Sequence, residues 1–141
     1  SRAAFRRILN LGFTEAFRIF ADHVRTRYNA EPGFITMNLP RTLDDLDRAG
    51  VVNPIVCSNI NKLGFRMTGG VDGYRDAMEK REFRAVAMSV FASGAIDARE
   101  AIEWVCELPN LESIVFGASS KGNSESTVAL VGEYWPEGLA R

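Results

Sequence analysis

The residues able to do chemistry in this chain cluster just after its short apolar runs. Asn38 follows GFITM. Ser58, Asn59 and Asn61 close PIVCSNI and lead into a loop with Lys62, Arg66 and Gly69-Gly70. RAVAMSVF, which contains Ser89 and ends on Phe91, runs into Ala92-Ser93-Gly94, and ESIVF runs into Gly117-Ala118-Ser119-Ser120-Lys121-Gly122, just ahead of Asn123. The last of these is the sharpest signal. A small Gly/Ser turn entering a helix leaves backbone N–H groups free at a positive helix end, which suits a phosphate or another anion, and Lys121 adds a point charge. The same turn is also the tight connection that any strand-to-helix crossover needs. Its spacing is neither G-x-G-x-x-G nor a P-loop, so both readings stay open. Lys62 and Arg66 carry the same pair of readings, an anion grip or a solvated loop.

Acid–base candidates are few. His23, the single histidine, falls between Phe20 and Val24 in a helical pattern away from the strand ends and reads as a helix residue rather than a catalyst. No Ser-His-Asp arrangement can be placed, and one histidine without clustered carboxylates predicts no metal centre. Asp44, Asp45 and Asp47 read as a solvated helix face. Cys57 is either a small buried hydrophobe or a pocket thiol, while Cys106, beside Trp104, reads as packing. Trp104 and Trp135 are packing anchors. No residue of this chain is assigned a catalytic or metal-binding role.

The elements that must position the polar residues follow from periodicity. Phe13, Phe17, Phe20, Val24 and Tyr28 recur at helical spacing, with Glu15, Arg18, Asp22 and Arg25 opposite them. An amphipathic helix is therefore predicted, capped at Thr14 and closed by Pro32-Gly33, with a basic helix-like stretch over Ser1 to Asn10 ahead of it. Four strand-then-helix units follow. The strands are predicted over Gly33–Leu39, Pro54–Ile60, Arg84–Phe91 and Glu112–Phe116. The helices are predicted from Thr42-Leu43-Asp44-Asp45 to Gly50, over Val71–Arg81, over Asp97–Leu108 with Asp97-Ala98-Arg99-Glu100 as a full capping box, and from about Asn123 to Tyr134. Strands alternating with helices and joined by no hairpin turn predict an α/β fold with a parallel sheet and right-handed crossovers. The whole chain, 1–141, reads as one domain, with leading helices over 1–32 and four βα units over 33–135.

Size limits what such a fold can be. At 141 residues the chain is far below the roughly 250 of a complete eight-stranded barrel, but it can hold half of a TIM (β/α)8 barrel. An open doubly wound sheet is the other architecture that fits; it would need helices on both faces and a ligand crevice where the strand order reverses. Either way, ligands gather at the carboxyl ends of the strands. Four parallel strands also leave two edges open, so a half barrel implies a partner: a missing N-terminal half or a second copy.

The composition, 46% hydrophobic and 25% charged with a net charge of −1, is that of an ordered domain, and it gives no electrostatic bias toward nucleic acid. No apolar run reaches the roughly 20 residues of a membrane span. Two cysteines without a C-x-x-C pair predict reduced thiols and a cytoplasmic setting. Beginning at Ser1 without a methionine, the chain reads as having a processed or artificially cut start.

Taken in order, the strand-end segments resemble the C-terminal half of the aldo/keto reductases. Met37-Asn38-Leu39 is similar to that family's Ser-Asn-Phe after its fifth strand, and Asn53-Pro54-Ile55-Val56 to the lead into the sixth. Ala87 to Gly94 (AMSVFASG) resembles its Ala-Tyr-Ser-Pro-Leu-x-x-Gly stretch, and Ser113 to Ser120 (SIVFGASS) its eighth strand and following turn. The resemblance spans roughly residues 30–131. It implies a (β/α)8 oxidoreductase in which this half holds NADP and hydride passes to a carbonyl of a small molecule. Asn38 and Ser58 would then face the carboxamide, Ser89 with Phe91, Ser93 and Gly94 would wrap the pyrophosphate, and Ser119 with Asn123 would face the adenosine phosphate, with Gly117, Ser120 and Lys121 also in the cofactor-binding turn. Met37, Ser58 and Met88 stand where the family has serine, glutamine and tyrosine. Its catalytic Asp, Tyr, Lys and His come from the first four strands, so this half would be inactive alone; the alternatives are a divergent half barrel binding another phosphate-bearing ligand and a non-catalytic assembly module.

Overall fold

The structure, a computed structural model, describes the backbone of residues 2–135 and the side chains of residues 14–135. The leading helix α1 spans Arg2–Tyr28, and four strand-helix units follow: β1 (Gly33–Thr36) and α2 (Leu39–Arg48), β2 (Ile55–Asn59) and α3 (Gly70–Lys80), β3 (Arg84–Met88) and α4 (Ala98–Cys106), β4 (Leu111–Val115) and α5 (Lys121–Tyr134). The sheet order is β1-β2-β3-β4, and every pairing is parallel. Because consecutive strands neighbour one another, the order never reverses, which removes the switch point a doubly wound sheet requires. With right-handed crossovers, such an order carries all the helices to the same face. The result is an α/β layer consistent with half of a TIM-like barrel.

Strand alternation bears this out. Phe34, Val56, Ala85 and Ala87 point to the helical face and are buried with Leu39, Leu46, Met78, Ile102 and Val105 from the helices. Among the described residues nothing forms a layer over the opposite face: Ile35 is 73% exposed and Val115 53%. One irregularity interrupts the ladder, where β4 passes Glu112 between the pairs Ala85–Leu111 and Val86–Ser113.

Several expected boundaries move. The first helix does not start at Thr14 but runs through it, and the side chain of Phe13 lies outside the described residues, as do Ser1 and residues 136–141. Its apolar face is only partly covered. Phe17 and Phe20 meet the Phe34 ring edge-on at 5.5 and 5.7 Å and Ala21 is buried, yet Tyr28 is 67% exposed, although the helix packs against α2 as well as Phe34 of β1. The second helix starts at Leu39 rather than Thr42. Asn38 accepts a hydrogen bond from the Arg41 N–H at 3.2 Å and Pro40 occupies the first turn, where its missing N–H is harmless. Thr42 instead donates its hydroxyl to Thr36 Oγ1 at 2.8 Å. The third strand stops at Met88 because Ser89 turns into the left-handed region, at φ 55°.

The expected solvated face of α2 is a set of ion pairs, with Asp45 held by Arg41 and Arg48 at 2.9 and 3.1 Å and Asp44 held by Arg81. Half of the predicted capping box forms. Asp97 accepts hydrogen bonds from the N–H groups of Arg99 and Glu100 at 3.0 and 3.3 Å, but the Glu100 carboxylate reaches out to Lys62 at 2.6 Å instead of back to the cap. Asp97→Ala is expected to lower the unfolding free energy by about 1 kcal/mol, read as a lower denaturant midpoint at unchanged slope; an unchanged midpoint would show the cap to be idle.

Candidate functional site

Where the carboxyl ends of β2, β3 and β4 meet their loops, the rim forms an open groove of about 1000 Å³, the upper end of the range for small-molecule sites. Its floor is apolar, made by Met88, Val90, Ile96, Val115 and the edge-to-face pair Phe91 and Phe116, whose rings lie 6.5 Å apart. Its polar side chains are five hydroxyls, one amide and one cation: Ser89, Ser93, Ser119, Ser126, Thr127, Asn123 and Arg66. No carboxylate lines it. A concavity with one positive charge, no negative charge and a helix N-terminus on its wall favours an anionic guest.

The backbone around this groove is strained in a way that other turns are not. Among the described residues, seven non-glycine residues have positive φ, and three of them, Asn29, Asn53 and Asn110, are asparagines, which tolerate it. The other four are Arg66, Ser89, Ala92 and Ser93, at φ 53°, 55°, 45° and 61°. Three of these line the groove, and Ala92, 2% exposed, lies within its 89–94 loop. Each such residue costs on the order of 1 kcal/mol or more, and such costs gather where a site needs backbone groups aimed at a ligand. The loop is held by short turns in which the Ala92 N–H donates to the Ser89 carbonyl at 2.9 Å and the Gly94 N–H to that of Phe91 at 2.8 Å.

Of the residues singled out from sequence, Ser89, Phe91, Ser93, Gly94, Gly117, Ser119 and Asn123 come together here. Ser120 stands just behind them as the cap of α5, accepting from the Asn123 N–H at 3.2 Å, while the Asn123 side-chain amide donates to Ser119 Oγ at 2.9 Å. Lys121 points outward and lies 3.5 Å from Glu125, at 90% side-chain exposure, so it does not line the groove.

Two candidates lie elsewhere. Asn38 is occupied in capping α2. Ser58 is fully buried on the helical face of the sheet, donating to the Thr36 carbonyl at 2.9 Å and lying 3.2 Å from the Tyr74 hydroxyl. Strand alternation is the reason: Ser58 shares its face with Val56, whereas Asn59, one residue on, turns to the opposite face, where the Arg66 loop covers it. Cys57 does not line the groove, and burial pushes its thiol up from the ordinary value; the Cys106 thiol is pushed up to about 11. His23 is exposed on α1, stacked edge-on against Tyr28 at 5.8 Å.

Sequence reasoning missed the groove's apolar floor. The signal was present in the aromatic residues Phe65, Phe91 and Phe116, each set within a few residues of a strand end. Among the described residues, no group of three His, Cys, Asp or Glu side chains is placed to hold a metal ion, and no helix is long and apolar enough to cross a membrane. No protein-family model, curated protein or solved structure matches the chain.

Proposed function

We propose that the rim groove binds a phosphate-bearing cofactor, NADP(H) in the reading the aldo/keto reductase resemblance implies, and that the chain is the cofactor-holding half of a barrel oxidoreductase, inactive by itself. The observation that carries this is the gathering of Arg66, Ser89, Ala92 and Ser93, all at positive φ, around one carboxylate-free groove. A phosphate there would meet the α5 turn at Ser119 and Ser120, and the adenine ring has Phe91 and Phe116 as an apolar bed. The general acid that carbonyl reduction needs would come from an N-terminal half of the barrel, since no side chain lining the groove can supply it and a second copy brings only the same residues.

The positions of Asn38 and Ser58 favour a second reading. Both would face the carboxamide in the first, yet neither lines the groove, so the site suits the phosphate end of a ligand better than a nicotinamide. The second reading is a divergent half barrel holding another phosphate-bearing molecule.

Isothermal titration separates the two. Saturable binding of NADPH, with none of ribose 5-phosphate, is the result expected for the first reading, and the reverse pattern assigns the site to the second. Binding of neither overturns both. NADPH mixed with the chain alone and a simple aldehyde is expected to stay unoxidised, monitored at its absorbance band.

A further inference from the structure

We infer that Arg66 is a second anion contact of the groove, standing across β3 from the α5 turn, so that the ligand carries two separated anionic groups rather than one. This rests on the groove reading above and adds to it.

The loop after β2 is built to hold this one residue. Asn61, 1% exposed, accepts the Phe65 N–H at 2.8 Å and donates its amide to the Phe65 carbonyl at 2.9 Å, closing the turn from inside. Asn59, 3% exposed, donates to the Arg66 carbonyl at 3.2 Å, and Met67 next to it is buried, with the Asn61 N–H 3.3 Å from its sulfur. Arg66 is thus clamped on both sides and held at φ 53°. A merely solvated arginine needs neither the two buried amides nor the left-handed backbone.

Other cations around the rim already have partners. Lys62 pairs with Glu100 at 2.6 Å, Lys121 with Glu125 at 3.5 Å, and Arg99 with Glu133 at 2.5 Å, while Arg75 lies over the Trp104 ring. Among the described residues, no carboxylate pairs with Arg66. Its guanidinium lies 5.1 Å from the centroid of the Phe65 ring, and a guanidinium resting on a ring keeps its N–H donors for a carboxylate or phosphate. Because β2 and β4 flank β3, the two anion-attracting ends stand about 10 Å apart at the level of the strands. That spacing suits two anionic groups on one ligand better than a single phosphate. The ligand class is therefore a nucleotide phosphorylated at two places, or a molecule with that charge spacing.

The test uses NADPH, which carries a pyrophosphate and a further ribose phosphate, and 5′-AMP, which carries one phosphate, in titrations of the wild type, Arg66→Lys, Arg66→Ala and Arg66→Gly. The glycine variant accepts the left-handed backbone and so separates loss of the guanidinium from strain. Expected are a loss of about tenfold or more in NADPH affinity for the alanine and glycine variants, partial recovery with lysine, a shallower salt dependence, and unchanged AMP binding. NADPH affinity within twofold of wild type in both Arg66→Ala and Arg66→Gly overturns the second contact and leaves the groove reading standing. An equal loss for AMP also overturns it, by placing Arg66 at the same phosphate as the α5 turn. A wild type that binds neither probe removes both inferences.

Discussion

Tyr74→Ala is expected to destabilise the fold by about 3–5 kcal/mol, a large share of the 5–15 kcal/mol that holds a domain of this size. Tyr74 is 1% exposed and its ring fills the space between α3 and the sheet, so truncation leaves a cavity. The hydroxyl adds a separate contribution. It accepts the Leu39 N–H at 3.2 Å, donates to the Met37 carbonyl at 2.9 Å and lies 3.2 Å from Ser58 Oγ. The Leu39 N–H belongs to the first turn of α2 and has no partner within its helix, so Tyr74→Phe, which keeps the ring, strands a buried donor at a cost of about 1–3 kcal/mol. Ser58→Ala should cost about 1 kcal/mol, and because the two hydroxyls touch, the double variant should lose less than the sum. Equilibrium denaturation measures all four proteins. If Ser58→Ala instead leaves stability intact and weakens NADPH binding, the buried network is not what Ser58 serves, and its assignment to a carboxamide contact revives.

That network shows where sequence reasoning reaches and where it stops. Four strands, four following helices and their parallel order were legible because a βα chain writes its period into apolar runs and caps, as at Asp97 and Pro32-Gly33. The helix-facing side of each strand was not. A one-residue shift moves a side chain through the sheet, and in PIVCSNI both faces carry small or apolar residues, so nothing in the run says that Ser58 turns inward with Val56 while Asn59 turns outward. Asn38 was ambiguous for a related reason. An asparagine after a strand is both a ligand contact and a helix cap by type, and only the start of α2 at Leu39 decides between them. The groove was partly legible, because Gly/Ser-rich turns announce themselves. Its apolar floor was not, since Phe91 and Phe116 come from different loops and meet only in three dimensions.

A negative charge on the open face of the sheet is expected to change association far more than stability. Parallel sheets are stable with both faces covered, yet among the described residues Ile35 is 73% and Val115 53% exposed, and the edge strands β1 and β4 each have one side unpaired. Four strands of about five residues present a face of about 300 Å² in projection, and closure also pairs the two open strand edges, each a row of free N–H and C=O groups. A second copy turned by a two-fold axis sets β4 of each chain against β1 of the other, making two identical junctions and the eight strands of a closed barrel. Sedimentation velocity at micromolar concentration should therefore show a dimer for the wild type and a monomer for Ile35→Asp. The melting temperature of the variant, measured at a concentration where both proteins are monomeric, should fall by no more than a few degrees, because Ile35 makes few contacts within its own chain. A wild type that stays monomeric excludes the two-fold closure and leaves a separate N-terminal half as the occupant of that face. A variant that unfolds would mean that the exposed side already supports the chain by itself, which its strand pattern denies.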